Sequence, residues 1–180
     1  MISKPYFLFL GDAKDELAIK TAAGINYWRP EWCIGQMSLP NAKSSLGINE
    51  ISLEEAVKRG AKTFVLGVVN AGGKMPEGWI DIIVKAISLG LNIASGMHSR
   101  LSSFDEISKA AIKHGVKLHD LRFNNIEFDT GKGLKRTGKR LLTVGTDCSV
   151  GKKYTALAVE KAMLEKNMKV SFKATGQTCL

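Results

Sequence analysis

The feature that most constrains this fold is the run Leu141-Leu142-Thr143-Val144-Gly145-Thr146-Asp147-Cys148-Ser149-Val150-Gly151-Lys152-Lys153-Tyr154-Thr155. Its first four residues, three of them apolar and two β-branched, have the composition of a short buried strand. A loop bounded by glycines and closed by a lysine follows, and a helical pattern over 154–166 begins at once. A strand that feeds a helix through such a loop points successive backbone N–H groups at one spot. The helix dipole adds positive potential there, and a lysine neutralises an oxyanion held in the cradle. Phosphate is the expected guest. A tight turn whose glycines serve only packing is the plainer reading, but it gives the paired lysines no role. The cofactor-binding candidates are therefore Gly145, Thr146, Asp147, Cys148, Ser149, Val150, Gly151, Lys152, Lys153 and Thr155.

The spacing departs from the common phosphate loop. Five residues separate Gly145 from Gly151, so Thr146 stands at the first-glycine position of G-x-x-x-x-G-K-[ST]. The loop resembles the G-T-D-T-x-V-G-K-T loop of dethiobiotin synthetase, so this spacing is compatible with phosphate binding. Lys153 occupies the place of the hydroxyl that holds Mg²⁺ in that pattern, and Thr155 lies two residues further on. A metal-free phosphate site is the expectation, with the second cation substituting for the metal's charge. ATP with Mg in a ligase or kinase is the alternative.

Charge is distributed to match. Formal net charge is +9. Residues 131–180 carry 11 Lys+Arg against 3 Asp+Glu, whereas the first 130 carry 15 against 14. The excess surrounds the loop, as suits a polyanionic small molecule such as a nucleotide or coenzyme A. Nucleic acid is disfavoured, because aromatics make up only 7% and no nucleic-acid module is present. Cys33, Cys148 and Cys179 are isolated, which argues for a reducing compartment rather than a disulfide framework. Cys148 reads as a small loop-filling residue. No segment has the length of a membrane span and the apolar run at 6–10 is too short for a signal peptide, so a cytoplasmic protein is expected. Homo-oligomerisation is left open.

Before the loop, apolar runs alternate with helical patterns. Strands are predicted at 6–10, 32–37, 63–69, 91–94 and 116–118. Helices are predicted at 15–23 with Gly24 as stop, from the capping box at Ser52 to Gly60, from Pro76 to Leu89, and from a second capping box at Ser103 to Gly115. Continuous apolar strands between helices make an α/β fold, a mostly parallel sheet covered on both faces. Ligands in such sheets gather at the carboxyl ends of the strands. Three loops lie there: 11–14, 70–74 and 95–100. The first, Gly11-Asp12-Ala13-Lys14, lacks G-x-G-x-x-G and so argues against an ordinary dinucleotide site. His98 is the candidate catalytic base, and Lys20, Arg29 and Arg100 are candidate partners for substrate carboxylates. A structural histidine and solvated charges are the plain alternatives.

Residues 121–139, rich in Gly, Lys and Arg, read as a basic linker between a first domain at 1–120 and a second at 140–180. In the second, only two strands are predicted, at 141–144 and 169–172. A phosphate-loop sheet needs several, so an incomplete domain with an unpaired edge, inactive by itself, is the expectation.

Together, Lys20-Thr21-Ala22-Ala23-Gly24, Trp28-Arg29-Pro30, Gly35-Gln36, Ser95-Gly96-Met97-His98 and the loop with Cys148 and the double lysine resemble the DgcN-type D-glutamate N-acetyltransferase family. That family has long been catalogued as a domain of unknown function and is sometimes labelled an NAD-dependent epimerase/dehydratase. The resemblance spans the whole chain but about half of a family member. It implies a Rossmann-like N-terminal domain with the start of a C-terminal P-loop NTPase-like α/β domain, and acetyl transfer from acetyl-CoA to the amine of D-glutamate. A non-catalytic ligand-binding fragment is the remaining reading.

Overall fold

A computed structural model describes residues 2–69, 74–123, 133–134, 137–146 and 150–173. The chain divides into two units, residues 1–123 and 124–180. The first is an α/β layer structure. Its strands are β1 (Tyr6–Gly11), β2 (Cys33–Ser38), β3 (Thr63–Leu66), β4 (Asn92–Ser95) and β5 (Leu118–Asp120). Its helices are α1 (Lys20–Trp28), α2 (Leu53–Lys58), α3 (Ile80–Ser88) and α4 (Asp105–His114). All strand pairs are parallel, in the order β2-β1-β3-β4-β5.

That order follows from handedness. A strand–helix–strand crossover is right-handed, so the leftward step from β1 to β2 puts α1 on one face. The rightward steps put α2, α3 and α4 on the other. The ion pair between Lys85 Nζ on α3 and Glu54 Oε1 on α2, at 2.7 Å, joins two helices of that second layer. Between the layers, Phe7, Leu8, Phe9, Leu10 and Phe64 are fully buried. Phe7 stands opposite Phe64 in the β1–β3 register, with ring centroids 5.5 Å apart, and Phe9 packs edge-on against Trp79 at 5.3 Å. Strands buried on both faces cannot alternate, which is why their sequences read as unbroken apolar runs.

Several local expectations need correction: β3 ends at Leu66 rather than residue 69, β5 spans Leu118–Asp120 rather than 116–118, and α3 begins at Ile80 rather than at Pro76. Helix α1 begins at Lys20 rather than near residue 15, because the Asp15 carboxylate accepts the Ala18 N–H at 2.8 Å and holds that segment as a turn. Gly24 does not stop it. The helix runs on to Trp28, since the buried Ala22 fixes its inner face. The second capping box does not form either. Ser103 Oγ donates to the Arg100 carbonyl at 2.6 Å, and α4 starts at Asp105 with no side-chain cap. The Ser52 cap does form, its hydroxyl accepting the Glu55 N–H at 3.1 Å. Gly115, at φ +66, ends α4 in the left-handed conformation that glycine tolerates best.

In the second unit α5 spans Lys152–Glu165, and Asn167 at φ +57 terminates it. Among the described residues of this unit there is no strand, contrary to the expectation for 141–144 and 169–172. A strand exists only through its ladder to a neighbour. Without one, Leu141, Leu142 and Val144 are 64%, 71% and 80% exposed. Phe172 is instead tied to α5, its N–H donating to Glu160 Oε1 at 2.6 Å.

Candidate functional site

The chain leaves β1 toward β2 on one side and later adds β3 on the other, so the strand order reverses between β1 and β3. Open parallel sheets bind ligands in the crevice outside such a switch point. Here the crevice is a cleft of about 400 Å³ whose lining includes Asp12, Lys14, Asp15, Lys20, Val69 and Trp79. Two glycines shape it. Gly11 sits at φ +56, and a Cβ there would lie 2.5 Å from the Trp79 ring. A Cβ on Gly67 would lie 2.5 Å from the Cβ of Ala22. The missing side chain at residue 67 lets α1 dock against the end of β3, where the Ala22 N–H donates to the Gly67 carbonyl at 3.1 Å. The helix start that receives a pyrophosphate in dinucleotide-binding folds is here bonded to the protein's own backbone.

Within the cleft, Lys14 Nζ donates to the Asn41 carbonyl at 3.2 Å and lies 4.0 Å from Asp12 Oδ2. Asp15 is engaged by Ala18. Lys20 is exposed, and among the described residues it has no ion pair. His98 and Arg100 lie on the loop after β4, at the same edge of the sheet, and both are exposed. That loop is braced from the end of β5. Asp120 Oδ1 accepts the Leu101 N–H at 2.8 Å, and Arg122 Nε donates to the Gly96 carbonyl at 2.7 Å. The Arg100 guanidinium stacks 4.5 Å from the Phe123 ring centroid.

Arg29 is elsewhere. Helix α1 runs back along the sheet, so its last turn reaches the amino-terminal ends of the strands. There Arg29 Nη1 donates to the Trp28 carbonyl at 2.7 Å and the guanidinium lies 5.4 Å from the Trp32 ring, beside the start of β2. It does not join Lys20, His98 and Arg100. Cys33, at that same end, has its thiol pushed up to about 11, chiefly by burial and then by the nearby Glu31 carboxylate. His119 on β5 is held below the ordinary imidazole range by burial, with Nε2 buried and unpartnered among the described residues.

The strand-edge residues that sequence reading missed are acidic and aromatic. Asp12 carried a signal, since a charged residue directly after a buried strand marks its carboxyl end. Trp79 carried none, because it reaches the cleft from the turn before α3. A second cleft, of about 360 Å³, lies past β2. There the buried Gln36 donates from Nε2 to Glu50 Oε2 at 2.7 Å and to Ser45 Oγ at 2.8 Å, and the Ser38 N–H donates to Glu50. This network pins the 45–50 segment to the sheet edge.

In the second unit, the loop's two ends are fastened together. Thr143 Oγ1 donates to the Lys152 carbonyl at 2.8 Å. A Cβ on Gly145 would lie 2.7 Å from Val150 Cγ2 and 3.3 Å from the Cγ and Cδ of Lys152, so the Val150 side chain and the lysine stem pack over the space a side chain at residue 145 would take. Gly151 caps α5 at φ +91. Thr155 Oγ1 donates back to the Gly151 carbonyl at 3.1 Å, so this hydroxyl is engaged within the helix. Lys153 is exposed with Nζ 5.5 Å from the Tyr154 ring centroid. Of the loop residues between the two glycines Thr146 and Val150 are described; Asp147, Cys148 and Ser149, like Asn70–Gly73 and Cys179, lie outside the described residues. Among the described residues no three His, Cys, Asp or Glu side chains gather as a metal site, and no helix is long and apolar enough to cross a membrane.

Family comparison follows the same division. Residues 38–124 match a domain of unknown function (DUF1611_N) described as a Rossmann-like domain, and residues 127–180 match its companion (DUF1611_C), described as a P-loop domain. A Pseudoalteromonas protein named D-glutamate N-acetyltransferase is 53% identical over 176 residues, covering 98% of this chain and 53% of that protein. One of the same name from Tritonibacter scottomollicae is 49% identical over 178 residues, covering 99% and 54%. This chain therefore spans about half the length of the curated relatives it matches. A crystal structure of a DUF1611 family protein from Anabaena variabilis superimposes with a TM-score of 0.71 at 24% identity, covering 98% of this chain and 54% of that one, a likeness of fold.

Proposed function

The chain belongs to the DUF1611 family, with a Rossmann-like domain followed by a P-loop domain, and from that premise we propose that it serves acetyl-CoA-dependent N-acetylation of D-glutamate in the cytoplasm. The observation that carries the reading is the lysine-closed loop. Gly145 yields its side-chain space to Val150 and the stem of Lys152, beside the amino-terminus of α5, an arrangement that fits the phosphates of coenzyme A. The name borne by the relatives, at about half identity, supplies the acceptor and the acyl group.

When bound, acetyl-CoA supplies an acetyl group activated as a thioester. The protein's part is binding, orientation and proton movement. The main-chain amides of the described loop residues Gly145, Thr146, Val150 and Gly151 and the Lys152 ammonium would hold phosphate oxygens, and Lys153 would add to the surrounding positive field. Lys20 and Arg100, both at the carboxyl edge of the sheet, hold carboxylates. The imidazole of His98 accepts the proton that the amine must lose before its lone pair can attack. Arg29 takes no part.

ATP with Mg fits less well. The pattern needs a hydroxyl on the metal, but Lys153 stands at that position and the Thr155 hydroxyl is bonded to Gly151. Calorimetry of the full chain with acetyl-CoA, and with ATP in the presence and absence of Mg²⁺, separates the readings; thiol release in the presence of D-glutamate reports transfer. Magnesium-dependent ATP binding without acetyl-CoA binding overturns the proposal. Binding of acetyl-CoA without thiol release points instead to a non-catalytic ligand-binding chain.

A further inference from the structure

We propose that the cleft at the β1–β3 switch point is an amino-acid site, in which Asp12 receives an α-ammonium and Lys20 a carboxylate while Trp79 and Val69 flank the carbon chain. The identity of the amino acid, D-glutamate, rests on the acetyltransferase reading; the class of ligand rests on the cleft.

Three observations carry it. The first is charge. Asp12, Asp15, Lys14 and Lys20 line one small space. Two of the four are engaged by backbone, Asp15 by the Ala18 N–H and Lys14 by the Asn41 carbonyl. That leaves Lys20, without an ion pair among the described residues, and Asp12, whose contact with Lys14 is stretched to 4.0 Å. One available acid and one available base complement a zwitterion. The second is exclusion. A pyrophosphate would meet two carboxylates and a helix start whose Ala22 N–H is already bonded to the Gly67 carbonyl, so repulsion and lost donors both act against a dinucleotide. The third is size. A volume of about 400 Å³ lies near the small end of the roughly 300–1,000 Å³ found for ligand pockets. The buried Trp79 and Val68 add apolar wall for methylenes.

The full chain is titrated calorimetrically with D-glutamate and with glutarate, which keeps both carboxylates and lacks the ammonium. Lys20→Gln is expected to weaken both ligands roughly tenfold, the scale of one charge-assisted hydrogen bond. Asp12→Asn is expected to weaken D-glutamate by a similar factor and to leave glutarate unchanged or tighter. Both residues are surface-facing, and unchanged melting curves show that the variants fold. Wild-type affinity for D-glutamate in both variants overturns the site, and with it the carboxylate role of Lys20, while acetyl transfer itself is judged separately by thiol release from the wild type. Loss in both variants, with no acetyl transfer by the wild type, keeps the site and removes that reading. A wild-type chain that binds neither ligand overturns both.

Discussion

Replacing Gly67 by alanine tests how α1 is seated on the sheet, and with it the shape of the cleft. The new methyl would lie 2.5 Å from the Cβ of Ala22, 3.1 Å from its Cα and 3.3 Å from its N. Two of these atoms are backbone and the third is fixed by it, so no rotamer change relieves the contact. Ordinary carbon–carbon contact is about 3.5–4.0 Å, which requires α1 to move by roughly an ångström. Overpacking of this kind costs about 1–3 kcal/mol. The move also lengthens the 3.1 Å bond from the Ala22 N–H to the Gly67 carbonyl, adding about 0.5–1.5 kcal/mol. A total of about 1.5–4.5 kcal/mol corresponds to a fall in Tm of roughly 3–18 °C for a chain of this size. Urea and thermal unfolding followed by circular dichroism read it directly. Ala22→Gly in the same chain removes the closest atom, so the double variant should recover part of the loss as a measurable coupling. A Gly67→Ala chain that melts with the wild type, or a pair of substitutions that simply add, refutes the seating of α1 described here.

Other outcomes follow from the same geometry. Lys152→Ala should weaken acetyl-CoA binding by about 1–3 kcal/mol, the range of a charge-assisted hydrogen bond; equal affinity in calorimetry removes that residue from the phosphate site. Cys33 holds its proton more tightly folded than unfolded, so its contribution to stability is complete below the ordinary thiol range and disappears as pH rises through about 11. Alkylation of Cys33, followed peptide by peptide, should therefore lag behind that of a free thiol at mildly alkaline pH, and the alkaline fall in stability should flatten in Cys33→Ala. Ser52→Ala removes the acceptor of the Glu55 N–H and should cost about 0.5–2 kcal/mol in urea unfolding. No change there means that the cap adds nothing beyond the packing of α2.

The α/β class, the succession of strands and helices in the first unit, and the lysine-closed loop were legible in the residues themselves. Apolar runs at 6–10 and 63–69 read as strands covered on both sides, the second forming over Thr63–Leu66, and Ser52 and Gly115 mark helix ends through bonds and dihedrals that involve near neighbours alone. The reach of that reasoning is the reach of local interactions. Gly24 looked like a helix stop, yet Ala22 beneath β3 carries α1 through it; Ser103 looked like a cap, yet its hydroxyl turns back to Arg100. Lys20 opens α1 and Arg29 directly follows its last residue, and only the direction of α1 across the sheet separates them, one to the cleft and the other to the opposite end. The residues at 141–144 have strand composition but no ladder among the described residues, because hydrogen-bonded pairing belongs to two segments and not to one. The cleft itself depends on the order β2-β1-β3-β4-β5, which right-handed crossovers permit but do not dictate. Asp12, Lys20 and Trp79 meet there because distant segments converge at one sheet edge, and that convergence is a property of packing among partners far apart in the chain.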